Sequence, residues 1–265
     1  VMKRGLISLL LCSDRFGREL VVYEETDSTN MRVKEAARSG AGEGLVVLAE
    51  QQTAGRGRRG RSWLSLPGEN IYMTVLLRPD FLPDRAPMLT LLMACAVTRA
   101  VRRVCHVEVG IKWPNDLVIG GRKICGILTE MSVVQGAVDY VLIGVGINCN
   151  QREFPEELAE KATSIWLETG QDVPRETLVC RVLEEFEQLY IQFCKEQSLA
   201  FIKDEYEAAL VNRGETVCVL EPGHEWKGTA LGISKTGALI VKTDGGNLRE
   251  VDSGEVSVRG VYGYI

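Results

Sequence analysis

The segment QTAGRGRRGRSW, residues 52–63, separates two apolar runs of the chain and differs from both in composition. It carries four arginines interleaved with three glycines. Glycine removes side-chain bulk, so backbone N–H groups can approach a ligand closely. Arginine adds a permanently charged planar fork that fits phosphate or carboxylate. The segment therefore predicts an internal anion-binding loop; the alternatives are a solvated basic loop and an RG segment that contacts nucleic acid.

The same segment contains a G-x-G-x-x-G pattern at Gly55, Gly57 and Gly60. The dinucleotide-binding fold needs a helix directly after this pattern. Here residues 61–70, RSWLSLPGEN, follow without any helical period. The chain also lacks a Gly-Lys pair, so it has no P-loop. A nucleotide would therefore bind by a less common fold.

The composition excludes several other classes of protein. The 265 residues are 45% hydrophobic and 25% charged, as in an ordinary globular protein. A net charge of -5 argues against a nucleic-acid binder with a fully basic surface. None of the eight cysteines forms a C-x-x-C pair, which disfavours zinc ribbons and redox pairs and favours reduced core thiols. His106 and His224 are the sole histidines, so a histidine-rich metal site is excluded.

The hydrophobic pattern predicts an α+β fold. Alternating or continuous apolar runs predict strands at residues 19–25, 45–50, 70–78, 107–113 and 138–149, with a hairpin at Gly120-Gly121. Helical periodicity predicts helices at residues 85–104, after Pro174 and at about 198–210. The cap-type residues of TDSTN predict a further helix in the segment MRVKEAARSG, residues 31–40, with Gly40 as its stop. From residue 216 onward, short apolar runs between turn residues predict a small all-β barrel. We expect a mixed sheet with helices in residues 1–212 and the barrel domain in residues 213–265.

Three further segments are typical of a binding site. KWPNDL, residues 112–117, delivers an amide and a carboxylate into one turn, although an Asx-turn would do the same. GRKICGIL, residues 121–128, puts Lys123 on a strand, where a lysine is usually solvated. GVGIN, residues 144–148, is a strand whose glycines permit something flat to approach.

Together with TDSTN, residues 26–30, these segments resemble the biotin protein ligases in order and spacing, over about residues 18–262. The resemblance implies a class II synthetase-like catalytic domain and an SH3-like barrel. It implies that biotin and ATP, with Mg²⁺, form biotinoyl-5′-AMP and pyrophosphate. A lysine of a biotin carboxyl-carrier domain of a carboxylase then attacks this mixed anhydride. The chemistry of the residues agrees, since joining a carboxylate to a polyanion requires cations such as Arg58 and Lys123.

The resemblance also implies roles for individual residues. Catalytic roles go to Arg58, Lys123 and Asp116, and no dedicated metal site is assigned. The positions that match biotin contacts are Ser28, Thr29, Asn30, Gln52, Gly55, Arg56, Gly57, Arg58 and Lys123. The positions that match adenylate contacts are Arg61, Trp63, Asn115, Ile127 and Asn148, with Trp63 against adenine and Arg61 at the phosphate end. Asp116 matches an acidic residue linked to the metal and to the acceptor lysine.

The beginning of the chain bears on the type of ligase. Seventeen residues precede the ligase-like region, too few for the helix-turn-helix of the family's repressor members. We expect a single-function cytoplasmic ligase, monomeric or homodimeric, that binds neither DNA nor membrane. The apolar run at residues 6–12 is too short for a membrane span. Three alternatives stay open: a lipoate or octanoate ligase of the related fold, a biotin-sensing repressor fragment, and a pure biotin-binding protein.

Overall fold

A computed structural model describes residues 1–221, 224–253 and 257–260 of the chain. These residues form two sheets and seven α-helices. The first sheet has seven strands in the order β1-β2-β3-β7-β6-β5-β4. Its strands are β1 Leu20–Thr26, β2 Val46–Gln52, β3 Ile71–Leu77, β4 Gly110–Lys112, β5 Asp116–Ile119, β6 Arg122–Val134 and β7 Ala137–Ile147. β1 and β2 are parallel, and the other neighbouring pairs are antiparallel.

Helices cover both faces of this sheet. They are α1 Arg4–Leu10, α2 Thr29–Arg38, α3 Met88–Cys105, α4 Glu156–Ala159, α5 Ile165–Thr169, α6 Arg175–Glu196 and α7 Lys203–Ala209. Along β2, Val46 and Leu48 join the main core, whereas Val47 joins a smaller cluster with Val33 of α2. Successive residues of a strand point to opposite faces. β2 is therefore buried on both sides, which explains its uninterrupted apolar run.

The second sheet is antiparallel, with five strands in the order β11-β10-β9-β8-β12. The strands are β8 Thr216–Glu221, β9 His224–Ile233, β10 Leu239–Thr243, β11 Leu248–Val251 and β12 Ser257–Gly260. Trp113, which is 1% exposed, joins the two sheets because its indole N–H donates to the Gly237 carbonyl at 3.0 Å. The mixed sheet with helices and the small all-β unit are both as the sequence predicts.

The sequence analysis does not predict three of the helices, α1, α4 and α5, each of seven residues or fewer. α1 belongs to the folded body, because Ile7 is fully buried. Backbone N–H groups of Lys3, Cys12 and Arg15 donate to Glu176, Glu184 and Glu187 of α6. The first residues are therefore held by long-range contacts that no local pattern reveals.

Two expectations need correction. The strand expected at residues 107–113 spans only the three residues Gly110–Lys112. The chain then turns at Pro114. Most cysteines were expected in the core, whereas four of the eight are buried, two are intermediate, and Cys12 and Cys194 are exposed. Cys95 is a core thiol as expected, and burial raises its pKa to about 12, which keeps it protonated and unreactive.

No helix in the described part of the chain is both long enough and apolar enough to cross a bilayer.

Candidate functional site

A cleft lies where the amino end of α2 and the glycine/arginine loop, residues 53–62, meet the sheet. The residues lining the cleft come from α2, the loop, β2, β3, β6, β7 and the turn before β5: Ser28, Thr29, Asn30, Gln52, Arg56, Gly57, Arg58, Trp63, Tyr72, Asn115, Lys123, Gly126, Ile127, Leu128, Gly144, Val145 and Gly146.

Glycines on β6 and β7 form the floor of the cleft. A Cβ atom added to Gly126 or to Gly146 would lie 2.6 Å from the indole of Trp63. A Cβ at Gly144 would lie 2.2 Å from Asn30 Oδ1. Real Cβ atoms do not approach that closely, so a larger residue at any of these positions would displace the Trp63 ring or the Asn30 side chain. The flat group predicted to approach these strands is thus, in this structure, the Trp63 ring.

The glycine/arginine loop forms a closed turn over the cleft. A bridge between Arg56 and Ser62 and a 2.7 Å hydrogen bond from Gly57 N–H to the Arg61 carbonyl close the loop. Among the described residues, Arg56, Arg59 and Arg61 form no ion pair, as a loop built to receive an anion requires. Arg58 turns inward and donates to Asn115 Oδ1 at 3.1 Å and to the Ser253 carbonyl beyond β11.

The cationic end of the cleft combines the loop with β6. Lys123 Nζ lies 2.6 Å from Asp116 Oδ1 and 5.1 Å from the centre of the Trp63 ring. Burial lowers the pKa of Arg58; Arg59 and Arg61 lower it further, whereas the Asp116 carboxylate opposes them. An anion bound beside Arg58 and Lys123 would offset this desolvation and repulsion.

Backbone hydrogen bonds fix the position of Lys123. Its N–H donates to the Lys161 carbonyl at 2.8 Å, and its carbonyl accepts from Thr163 N–H at 2.9 Å. Asn148 braces the same segment, because its side-chain amide donates to the Thr163 carbonyl at 3.0 Å. The backbone of Lys123 is therefore held at both its N–H and its carbonyl, which fixes the point from which the side chain extends.

Hydrogen bonds join the side chains at the opposite end of the cleft. All of these side chains are uncharged except for one carboxylate, that of Glu130. Gln52 Oε1 accepts from Thr29 N–H at 2.8 Å. Thr74 Oγ1 lies 2.8 Å from Thr29 Oγ1 and 2.6 Å from Asn30 Oδ1. Asn30 Nδ2 donates to Glu130 Oε2 at 2.7 Å. Nearby, burial raises the pKa of Tyr72 to about 12, so its phenol stays neutral.

Most site residues expected from the sequence lie together in this cleft. Those that line it are Ser28, Thr29, Asn30, Gln52, Arg56, Gly57, Arg58, Trp63, Asn115, Lys123 and Ile127. Four do not line it: Gly55 is a buried residue of the loop itself, Arg61 is exposed, Asp116 lies behind Lys123, and Asn148 is bonded to Thr163. Their roles toward a ligand stay predictions.

Sequence analysis missed Tyr72, Thr74 and Glu130. Tyr72 and Thr74 share one face of β3, and a polar Thr74 inside the apolar run IYMTVLL was a usable signal. Glu130 gave no such signal, because its partner Asn30 is 100 residues away. Overall, the cleft offers cations at one end, hydrogen-bonding groups at the other, and an aromatic ring between them.

Two family models match the chain. The model of the biotin/lipoate A/B protein ligase family matches residues 22–148, and that of the biotin protein ligase C terminal domain matches residues 214–259. The "Bifunctional ligase/repressor BirA" of Bacillus subtilis is 35% identical over 250 residues, covering 94% of this chain and 76% of that protein. The "Biotin--[acetyl-CoA-carboxylase] ligase" of Mycobacterium tuberculosis is 35% identical over 261 residues, covering 96% and 94%.

Solved structures are similar over both sheets. The biotin protein ligase from Aquifex aeolicus in complex with biotin and ATP superposes with a TM-score of 0.80 and 32% identity, covering 92% of this chain and 99% of that one. The Leishmania major biotin protein ligase in complex with biotinyl-5-AMP gives a TM-score of 0.60 and 26% identity, covering 89% and 99%.

Proposed function

Because this chain belongs to the biotin protein ligase family, we propose roles for the individual residues of its cleft in that family's reaction. The chain is an enzyme that activates biotin with ATP and transfers it to a lysine of a carboxylase carrier protein. The first step forms biotinyl-5′-AMP and releases pyrophosphate. The second forms an amide and releases AMP. The lipoate and octanoate alternative is not favoured, since the relatives above are biotin ligases.

The placement of both substrates follows from the difference in polarity between the two ends of the cleft. The bicyclic ring of biotin lies against the wall formed by Thr29, Asn30 and Gln52, where it meets hydrogen-bonding groups. Its carboxylate points to the opposite end, toward Arg58 and Lys123. Adenine packs on Trp63, which already lies flat on the glycine floor. This orientation brings the carboxylate and the α-phosphate together at the cationic end.

The cations make the first step possible. A carboxylate oxygen of biotin attacks the α-phosphorus of ATP, and the bond to pyrophosphate breaks. Two anions must meet for this to happen, and Arg58 and Lys123 offset their repulsion. Stabilising developing charge with fixed cations is the main contribution of a protein to phosphoryl transfer. The step needs no protein nucleophile, consistent with a cleft whose described lining contains no histidine.

Asp116 links the first step to the second. It holds Lys123 by an ion pair at 2.6 Å, which orients the ammonium toward the cleft. In the second step the neutral amine of the carrier lysine attacks the biotinyl carbonyl, AMP leaves with the electrons of the C–O bond, and the proton that the amine loses passes to solvent. Asp116 is the carboxylate of this cationic end and is suited to attract the incoming lysine.

Mg²⁺ belongs to this proposal as the ion that accompanies ATP. It prefers oxygen ligands, and it commonly uses one or two carboxylates together with substrate phosphates. The carboxylate of Asp116, beside the phosphate-binding cations, fits that donor set and would hold the ion there. When bound, Mg²⁺ neutralises charge on the triphosphate.

The carrier lysine enters along a groove beside β6. Among the described residues, β5 pairs with β6 only as far as Gly126, whereas β7 pairs with it to Val134. The groove beside this free edge runs from Arg58 and Asn115 to Met131, which is 45% exposed. A strand edge accepts an extended segment through main-chain hydrogen bonds. We infer that the carrier docks here.

One experiment separates the two steps. Purified chain, biotin, ATP and magnesium should release pyrophosphate, and labelled biotin should then appear on an added carboxyl-carrier domain. Met131→Arg should slow labelling of the carrier and leave pyrophosphate release unchanged. Absence of pyrophosphate release by the wild type would refute the placement of substrates. Normal labelling by Met131→Arg would refute only the docking groove.

Other expectations remain proposals of the same kind. They are the domain limits of 1–212 and 213–265, the single-function type without DNA binding, and the monomeric or homodimeric state.

A further inference from the structure

Five polar side chains form one continuous chain of contacts at the ring end of the cleft. They come from four separate elements, namely β2, β3, α2 and β6, and they are Gln52, Thr29, Thr74, Asn30 and Glu130. Thr74 is fully buried, and Thr29 and Asn30 are 3% and 6% exposed. Water therefore has little access, and each of these groups depends on its neighbours for hydrogen bonds.

The direction of donation along this chain is determined from the carboxylate end. An ionised carboxylate only accepts, so Glu130 must receive the proton of Asn30 Nδ2. This turns Asn30 Oδ1, also an acceptor, toward Thr74 at 2.6 Å. The Thr74 hydroxyl must donate its one proton there. It can then only accept from the Thr29 hydroxyl, which lies 2.8 Å away.

The consequence appears at the surface of the cleft. Thr29 has spent its hydroxyl proton on Thr74, so its oxygen presents only lone pairs to other groups. Gln52 Oε1 is likewise an acceptor, because the Thr29 backbone N–H donates to it at 2.8 Å. Gln52 Oε1, 3.1 Å from the Thr29 hydroxyl, is the second acceptor within reach of its proton. Because that proton goes to the closer Thr74 oxygen at 2.8 Å, the Thr29 and Gln52 oxygens remain as two converging acceptors, which suit a donor from the ligand.

We propose that Glu130 and Thr74 are positioning residues that set the donor–acceptor polarity of the biotin-ring pocket. They act through Asn30 and Thr29 and do not themselves contact the substrate. The cyclic urea of biotin carries two N–H donors, one of which satisfies the paired oxygens of Thr29 and Gln52. This inference rests on the proposed placement of the biotin ring.

Gly144 supports the same arrangement independently. Any larger residue there would place its Cβ 2.2 Å from Asn30 Oδ1. The backbone of β7 therefore leaves room for Asn30 to lie between Thr74 and Glu130. The hydrogen-bonded series from Gln52 to Glu130, here called the relay, is therefore held in place by strands β2, β3 and β6 and by the amino end of α2.

Paired variants test the inference. Thr74→Val removes the hydroxyl and keeps the shape, whereas Thr74→Ser keeps the hydroxyl. Glu130→Gln keeps the shape but no longer dictates which way the Asn30 amide faces. A net hydrogen bond changes an equilibrium constant by about two- to ten-fold. We expect Thr74→Val and Glu130→Gln to raise the KM and the Kd for biotin by about that factor, with the KM for ATP and kcat unchanged. Thr74→Ser should restore wild-type affinity.

The control is Thr98→Val, which removes a buried hydroxyl that has no hydrogen-bond partner among the described residues. It should leave biotin binding unchanged. Gln52→Ala tests the pocket itself by calorimetry without ATP. If Gln52→Ala weakens biotin and Thr74→Val does not, the relay is refuted and the pocket stands. If neither variant weakens biotin binding, the placement of the ring is wrong. A rise in both KM values, or failure of Thr74→Ser to recover affinity, would indicate a merely structural role and overturn the inference.

Discussion

The two ends of the cleft are built on opposite principles. At the ring end, the polar groups of Thr29, Asn30 and Thr74 are fixed by one another before any ligand arrives. At the loop end, positive charge is concentrated on a glycine-rich turn, and burial with neighbouring arginines lowers the pKa of Arg58. The first arrangement costs little when biotin binds, because its groups are already oriented. At the loop end, the burial and mutual repulsion of the cations are offset only when an anion binds.

This difference separates recognition from chemistry. A preorganised wall of neutral groups discriminates between ligands, since a wrong donor or acceptor leaves a buried group unpaired. A strained cluster of cations stabilises the charge that develops on the α-phosphoryl group. Substitutions at the loop end should therefore lower kcat, whereas substitutions at the ring end should raise the KM for biotin.

The largest effect is expected at the loop end. Lys123→Ala and Arg58→Ala should each reduce the rate of biotinyl-5′-AMP formation by about 100- to 1,000-fold, the usual cost of removing one donor to a developing anion. The fold should be retained, since both side chains lie at the cleft surface. Pyrophosphate release under saturating biotin and ATP measures the rate, and circular dichroism measures the fold.

Two exposed cations far from the cleft provide the matched controls. Arg38→Ala, in the last turn of α2, and Lys195→Ala, in the last turn of α6, remove the same charges from the surface. Neither should change pyrophosphate release. Normal activity in both Lys123→Ala and Arg58→Ala would mean that the two ends of the cleft do not differ in the way described.

A smaller effect is expected between the two ends, where Trp63 lies on the glycine floor. Gly146→Ala would place a methyl group 2.6 Å from the indole, so the ring must move away. Overpacking of this kind costs about 1–3 kcal/mol. Because the displaced ring no longer lies where adenine is proposed to pack, formation of the adenylate should slow by about ten-fold. A change in tryptophan fluorescence should accompany the loss, because Trp63 would leave its half-buried position on the glycine floor.

Gly42→Ala is the control, since no heavy atom lies within 4 Å of the added Cβ. It should change neither activity nor fluorescence. Full activity in Gly146→Ala would show that the cleft tolerates a displaced Trp63, and the ring would then have no part in holding the adenylate.

The two ends also differ in what the sequence could predict. The loop end is encoded in one contiguous segment, so its composition alone predicts an anion-binding loop. The individual roles of Arg58, Gly57 and Trp63 follow from the resemblance to the family. The ring end is assembled from distant positions: Thr74 contacts residues 44 and 45 positions away, and Glu130 contacts one 100 positions away. Such pairs follow from strand order and register, which a single sequence does not specify.

The same reasoning applies to the fold. Long periodic elements such as α3 and β7 were predictable, because each carries its own hydrophobic pattern over many residues. The seven-residue α1 was not, since its position depends on carboxylates of α6 more than 170 residues away. Asn148 shows the limit at the site, because its amide bonds the Thr163 carbonyl instead of lining the cleft.

The smallest effect is expected in the mobility of the loop, and it sharpens the contrast with the preorganised wall. We predict that the glycine/arginine loop folds down over biotin and ATP, because an anion joins its arginines. Trypsin cuts after arginine, so cleavage at Arg56, Arg58, Arg59 and Arg61 should slow by about three-fold when both ligands are present. Biotin alone should protect less, since it supplies one carboxylate and no phosphate. Cleavage after the exposed Lys235, in the turn before β10, serves as the internal reference. Equal loop cleavage with and without ligands would mean that this end is as rigid as the other, and that its charges rather than its motion carry the catalysis.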